Sequence, residues 1–191
     1  MRWLVLYARS RQVPLSAAAV VLMTSVLWVL TRPGGAGTEH QAQTVLVLSA
    51  NVMACSIGLG GPDVVLERTA GLRWVPRRLA HALLIGVFAG AVVLAVRAAG
   101  AGLAPVEVIV RDCAGLVGLA ALGTVLCGAA FAWTLPTVWL AVVLLTPAPN
   151  GTVGEVLHWL TFPPGTTAST GTALVLLGAG ASVYAMVGPR R

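Results

Sequence analysis

The chain has 191 residues, of which 58% are hydrophobic and only 9% charged. An average soluble protein carries about 25% charged residues, and a soluble fold of this size could not cover its surface with so few. The mean hydropathy of +0.90 therefore excludes a soluble globular domain and fits a protein whose outside is covered by lipid. The net charge is +6 and all twelve basic residues are arginine. A basic chain raises nucleic acid as a partner. Here nine of the arginines fall at predicted helix ends or loops on one side of a membrane. Anionic headgroups and the positive-inside rule account for them, so membrane lipid is the expected partner and nucleic acid is not. Arginine without lysine, in a chain rich in Ala, Gly and Val, points to a GC-rich bacterial genome and hence to a bacterial plasma membrane.

Residues 1–12 open the chain with Trp3, Leu4, Leu6 and Tyr7 ahead of a basic end, the pattern of an amphipathic helix lying on the inner membrane surface. No small-x-small cleavage site follows the first apolar run, so no removable signal peptide is expected. A spanning helix needs about 20 mostly apolar residues. Runs that meet or approach this lie at about 14–31, 41–60 and 79–96. The long apolar stretch after Pro105 is too long for one crossing. An interfacial turn at Trp133–Pro136 splits it into helices at about 108–130 and 136–145, the second short for a full span. A sixth run covers about 172–187. Between the fifth and sixth, residues 148–170 form an expected outer-face segment, a helical hairpin in which Val153, Val156, Leu157 and Leu160 recur at helical spacing.

The predicted fold is thus an all-α integral membrane protein, a single transmembrane domain over residues 1–191 with six transmembrane helices. An even helix count puts both termini on one side. The arginines of residues 1–12, of the loop after the second helix and of the C-terminus make that side the cytoplasm.

Few residues carry chemistry. Cys55, Cys113 and Cys127 lie in apolar stretches with no CxxC partner and read as small packing residues, so no metal and no cofactor is expected. There is no HExxH, no GxSxG and no carboxylate pair, and a chain without lysine has no ordinary phosphate-binding loop, so an enzyme is not expected. Asn51 lies in the middle of the second helix, where it lines a substrate path or makes an interhelical hydrogen bond. Arg111 and Asp112 stand near the start of the fourth helix. The bland reading has them snorkelling to the interface and pairing with each other or with Glu107; the functional one puts them on a substrate path or dimer interface. Glycines 115, 118 and 123 mark the fourth helix for close packing.

The densest charge lies at residues 63–78, DVVLERTAGLRWVPRR, which holds six of the eighteen acidic and basic residues. Asp63 is a good N-cap, Glu67 follows about a turn later, and Gly71 ends the short helix. Arg73 and Trp74 anchor at the interface, and Pro76 opens the next helix, whose end Arg77 and Arg78 hold at the headgroups. The result is a short cytoplasmic helix held beneath the membrane.

In this segment the chain resembles the permease subunits of type-2 ATP-binding-cassette exporters. Those have six transmembrane helices, cytoplasmic termini, an interfacial first helix, and a coupling helix of the form E-R-x-x-G followed by Pro and basic residues. Glu67, Arg68, Gly71, Pro76, Arg77 and Arg78 match that pattern. The family also carries an outer helical hairpin between its last two helices. Its members usually run to about 250 residues or more, so this chain is short for it. The resemblance implies a cytoplasmic P-loop ATPase docking on Asp63, Glu67, Arg68, Gly71 and Arg73. It also implies a second permease copy, or a paired permease, and export of a hydrophobic or amphipathic substrate. The alternatives are a non-transporting accessory subunit of another membrane complex and a proton-coupled carrier. The carrier would need a carboxylate in mid-membrane, whereas Asp112 lies near an end.

Overall fold

A computed structural model of the chain describes residues 13–30, 38–59 and 74–189. The expected interfacial helix at 1–12 and the residues Asp63, Glu67, Arg68, Gly71 and Arg73 of the coupling segment lie outside these. Among the described residues there are helices and turns and no strand. The helices are α1 (Val13–Leu30), α2 (Thr38–Ser56), α3 (Trp74–Ala98), α4 (Val106–Leu126), α5 (Thr134–Leu145), α6 (Thr152–Leu157) and α7 (Thr167–Val187). Single 3-10 turns follow α2 at Ile57–Leu59 and α4 at Ala129–Phe131.

Three helices, α3, α4 and α7, are long and apolar enough to cross a membrane. At 1.5 Å per residue, α3 is about 37 Å long and α4 and α7 about 31 Å, against a hydrocarbon core of about 30 Å. The chain is a membrane protein on this ground. Large apolar side chains cover its outside, among them Leu22, Val29, Leu84, Val87, Leu174 and Val175, each more than half exposed. Such a surface is stable only against lipid or another protein.

The spans do not contribute equally. In the most apolar stretch of α4, 83% of residues are buried, against 28% for α3 and α7. Helix α4 is the axis of the bundle, flanked by α2, α3, α5 and, most extensively, α7. A helix apolar on every side suits that place. Small residues allow the close approach. A β-carbon at Gly118 would collide with the backbone of Leu176 and Leu177, and one at Gly180 would collide with the backbone of Gly118. Backbone meets backbone between α4 and α7, the packing that small residues permit in membranes.

The contacts sort the bundle into two ends. At one, Ala104 and Thr44 meet, as do Gln41 and Thr161 and also Arg111 and Phe162. At the other, Tyr184 donates 2.8 Å to the Leu59 carbonyl, Arg78 lies beside Gly188, and the Arg77 guanidinium stands 5.8 Å from the Trp74 ring centre.

Several expected boundaries move. Helix α4 stops at Leu126, not near 130, because Gly128 takes φ +100°, a conformation that ends a helix. The turn is therefore at 127–133 and not at Trp133–Pro136. Pro136 instead sits in the first turn of α5, where a missing N–H leaves no bond unmade. Helix α5 is about 18 Å long, too short to cross the hydrocarbon core straight. The outer hairpin is reduced to one short helix, α6. Of its expected apolar face only Leu160 is buried, while Val153, Val156 and Leu157 point outward.

The Gly118–Gly180 contact gives a direct test. Gly118→Val should cost at least about 3 kcal/mol, since overpacking here pushes on backbone that cannot rotate away. Gly178→Ala, on the same helix α7 with open space around its α-carbon, should be neutral or stabilising by up to about 1 kcal/mol. Thermal unfolding of the purified protein in detergent measures both. Equal effects would mean that α4 and α7 do not touch through their backbones.

Candidate functional site

Arg111 lies in the second turn of α4, on the side turned to the chain that joins α5 to α7. Its Nε donates to Asp112 Oδ1 at 2.9 Å, and the two side chains are 5% and 1% exposed. A charge pair this deep is costly to desolvate unless further hydrogen bonds complete it. They do. Arg111 Nη2 donates 3.0 Å to the Phe162 carbonyl and Nη1 donates 3.3 Å to the Pro163 carbonyl. Residues 161–163 have no helix or strand of their own, so their carbonyls need hydrogen-bond donors from elsewhere. The pair is thus held inside the protein and does not snorkel outward.

Other side chains serve the same end of the bundle. Gln41 Nε2, from the start of α2, donates 3.1 Å to Thr161 O and 3.5 Å to Phe162 O. Arg97 Nη1, from the end of α3, donates 2.7 Å to Leu103 O and 2.8 Å to Ala104 O. Thr44 Oγ1 accepts from Ala104 N at 3.3 Å. Ser169 Oγ donates 2.9 Å to Glu155 O, and Trp139 Nε1 donates 3.1 Å to Leu157 O. Five helices are joined here through the backbone of residues 103–104 and 155–163.

The segment after α6 turns into the bundle. His158, Trp159 and Leu160 are buried, with Trp159 and Leu160 fully so. The Trp159 ring fills the space that a β-carbon on Gly115 would need. Gly115 stands one turn beyond Arg111 on α4, so the two residues hold the segment at successive levels. The Thr146 hydroxyl lies 3.4 Å from His158 Nε2 at the rim.

A cavity of about 460 Å³ adjoins the ion pair, lined by Glu107, Arg111 and Ala114 of α4 and by Gly165, Thr170 and Leu174 at and beside α7. An apolar groove of about 350 Å³ continues from it between α3 and α4, sharing Val110 and Ala114.

Asn51 is elsewhere, midway along α2 and fully buried. Its Nδ2 donates 3.0 Å to Thr24 Oγ1 of α1, an interhelical bond between two buried side chains. Its Oδ1 has no partner among the described residues. Sequence reasoning thus named Arg111, Asp112 and Asn51, and the structure brings the first two together and leaves the third apart. It did not find Gln41, Arg97 or Trp159. The readable signal was Phe162-Pro163-Pro164, two consecutive residues without N–H that leave a run of carbonyls in need of donors.

Among the described residues, no three His, Cys, Asp or Glu side chains gather to hold a metal ion. No family model, curated protein or solved structure matches the chain.

The ion pair is stabilising only as a pair. Arg111→Met should cost about 3–5 kcal/mol, because it strands the buried Asp112 carboxylate and removes two of the donors to the carbonyls of 162 and 163. The double substitution Arg111→Met with Asp112→Leu should recover at least half of that. A double-mutant cycle on detergent-solubilised protein measures the coupling; strict additivity would contradict the geometry.

Proposed function

We propose that the chain is the transmembrane permease subunit of an ABC-type exporter in a bacterial plasma membrane. In this reading it crosses the membrane six times with both termini in the cytoplasm. The segment carrying Asp63, Glu67, Arg68, Gly71 and Arg73 docks a separate P-loop ATPase. Closure of that ATPase on ATP moves the segment, and α2 and α3 transmit the motion as rigid bodies.

One observation carries the reading. The two flanks of the charged segment, Leu59 and Trp74, stand at the same end of the bundle, where Tyr184 ties α2 to α7 and Arg78 meets Gly188. A partner bound there would act on the roots of α2 and α3 together.

The interior supports a second copy. The core of a single chain is filled by Val20, Leu48, Ile109, Leu116 and Trp159. Among its buried hydroxyls, Thr124 donates to Ala120 and Ala121 and Ser56 to Met53, while Ser49 Oγ and Asn51 Oδ1 on α2 have no partner among the described residues. In this reading these few polar atoms, set in an apolar core, do not make a conduit. A translocation path therefore runs between two permease subunits.

The test is co-purification from the native membrane. The chain should bring down a P-loop ATPase, and Glu67→Ala should lower its recovery about tenfold or more, the equivalent of at least about 1.4 kcal/mol of binding. The amount of chain in the membrane should not change. Undiminished recovery with both Glu67→Ala and Gly71→Pro would reject the docking role. Recovery of another membrane protein and no ATPase would reject the permease in favour of an accessory subunit.

A further inference from the structure

The groove between α3 and α4 and the cavity beside the ion pair form one continuous feature with two unlike ends. Its long part is apolar, with Leu83, Gly86, Val87 and Leu94 on α3 facing Cys113 and Val117 on α4. The end nearest the start of α4 is polar, with Glu107, Arg111 and Thr170. From Glu107 to Val117 the feature runs ten residues along α4, about 15 Å at the helical rise. That is about half of a hydrocarbon core of about 30 Å, or one leaflet. Gly86 and Gly90 let α3 approach the Val117 and Cys113 side chains of α4, and the small Ala91 and Ala114 leave the cleft open beside that contact.

The polar end selects by charge. Arg111 is neutralised by Asp112, so the lining is left with the negative charge of Glu107, which is exposed in the first turn of α4. An anionic headgroup would be repelled there. A guanidinium has five N–H donors; Arg111 uses three, on Asp112, Phe162 and Pro163, which leaves two. The site therefore offers a carboxylate for an ammonium group and the remaining Arg111 donors for a phosphate beside it, while the Thr170 hydroxyl, which donates to the Thr166 carbonyl, lines the edge.

We propose that this feature is a phospholipid site. One acyl chain lies in the α3–α4 groove, and a zwitterionic ethanolamine headgroup sits between Glu107 and Arg111. The bilayer itself is the source of the ligand. A second copy of the chain is the less suitable occupant, because a two-fold contact through this face would bring two Glu107 carboxylates towards each other. The site requires only that the chain lie in a membrane, and it is independent of whether an ATPase docks at the opposite end.

Native mass spectrometry of the full chain decides the matter. The protein is taken from nanodiscs of equal parts phosphatidylethanolamine and phosphatidylglycerol with identical acyl chains. It should retain one phosphatidylethanolamine per chain, favoured about tenfold over phosphatidylglycerol. Ala91→Trp, which fills the groove from its open side, should lose the bound lipid. Leu22→Trp, on exposed α1, should keep it. Glu107→Gln should keep a lipid but lose the preference. Indiscriminate retention by the wild type, or undiminished retention by Ala91→Trp, would overturn the site. So would lipid-free dimers that Ala91→Trp converts to monomers, an outcome that assigns the groove to a contact between copies.

Discussion

The close approach of α4 to α7 is the constraint on which the rest depends. Two backbones meet at Gly118 and Gly180 with no side chain between them. In lipid there is no hydrophobic gain from bringing apolar helices together, so association rests on packing and on hydrogen bonds. The Gly–Gly contact provides the packing. It fixes α4 at the centre, and the other helices take their places around it. Trp159 can reach Gly115, and Arg111 can reach the carbonyls of 162 and 163, because α7 begins close beside α4 and carries the preceding loop with it.

The ion pair then follows as a solution to a local problem. Turning residues 158–160 into the bundle leaves the residues that follow with carbonyls outside any helix. Helices satisfy their own backbone, but residues 161–163 are not helical. A guanidinium is suited to this, since it carries several donors in a rigid plane and stays charged. Its charge needs a counterion at the same depth, and Asp112 is the adjacent residue. Gln41 adds neutral donors from α2. The polar layer at this end is therefore structural in origin, and only its edge, where Arg111 lines a cavity with Glu107, is open to a ligand.

Much of this was legible in the sequence, for reasons that can be named. Apolar runs gave the long helices to within a few residues, because length and hydropathy are what a bilayer demands of a helix. Helix α3 begins earlier than its apolar run suggests, since Trp74, Arg77 and Arg78 continue the helix beyond the hydrocarbon. Helix α4 ends earlier, because one glycine conformation outweighs an unbroken apolar run. The glycines of α4 announced close packing but not its partner, as spacing within one helix says nothing about which neighbour meets it. Arg111 was the harder residue. Its position near a helix end suggested a side chain reaching outward to the interface. Its partners are carbonyls from some fifty residues away in the chain, and only the fold brings them close.

The two ends of the bundle are held by different groups. At the α4 start, Gln41, Thr44, Arg97, Arg111, Ser169 and Trp139 tie five helices to the backbone of residues 103–104 and 155–163. Relative movement there would break several hydrogen bonds at once. At the other end the Tyr184 hydroxyl donates to the Leu59 carbonyl and Arg78 packs on Gly188. In the proposed docking, a force applied between Leu59 and Trp74 would act on the near ends of α2 and α3, while the hydrogen bonds at the α4 start hold their far ends. The groove lies between α3 and α4. In that reading a lipid chain seated there would be squeezed or released by any movement of α3 against α4, and by linkage its occupancy would bias that movement in turn.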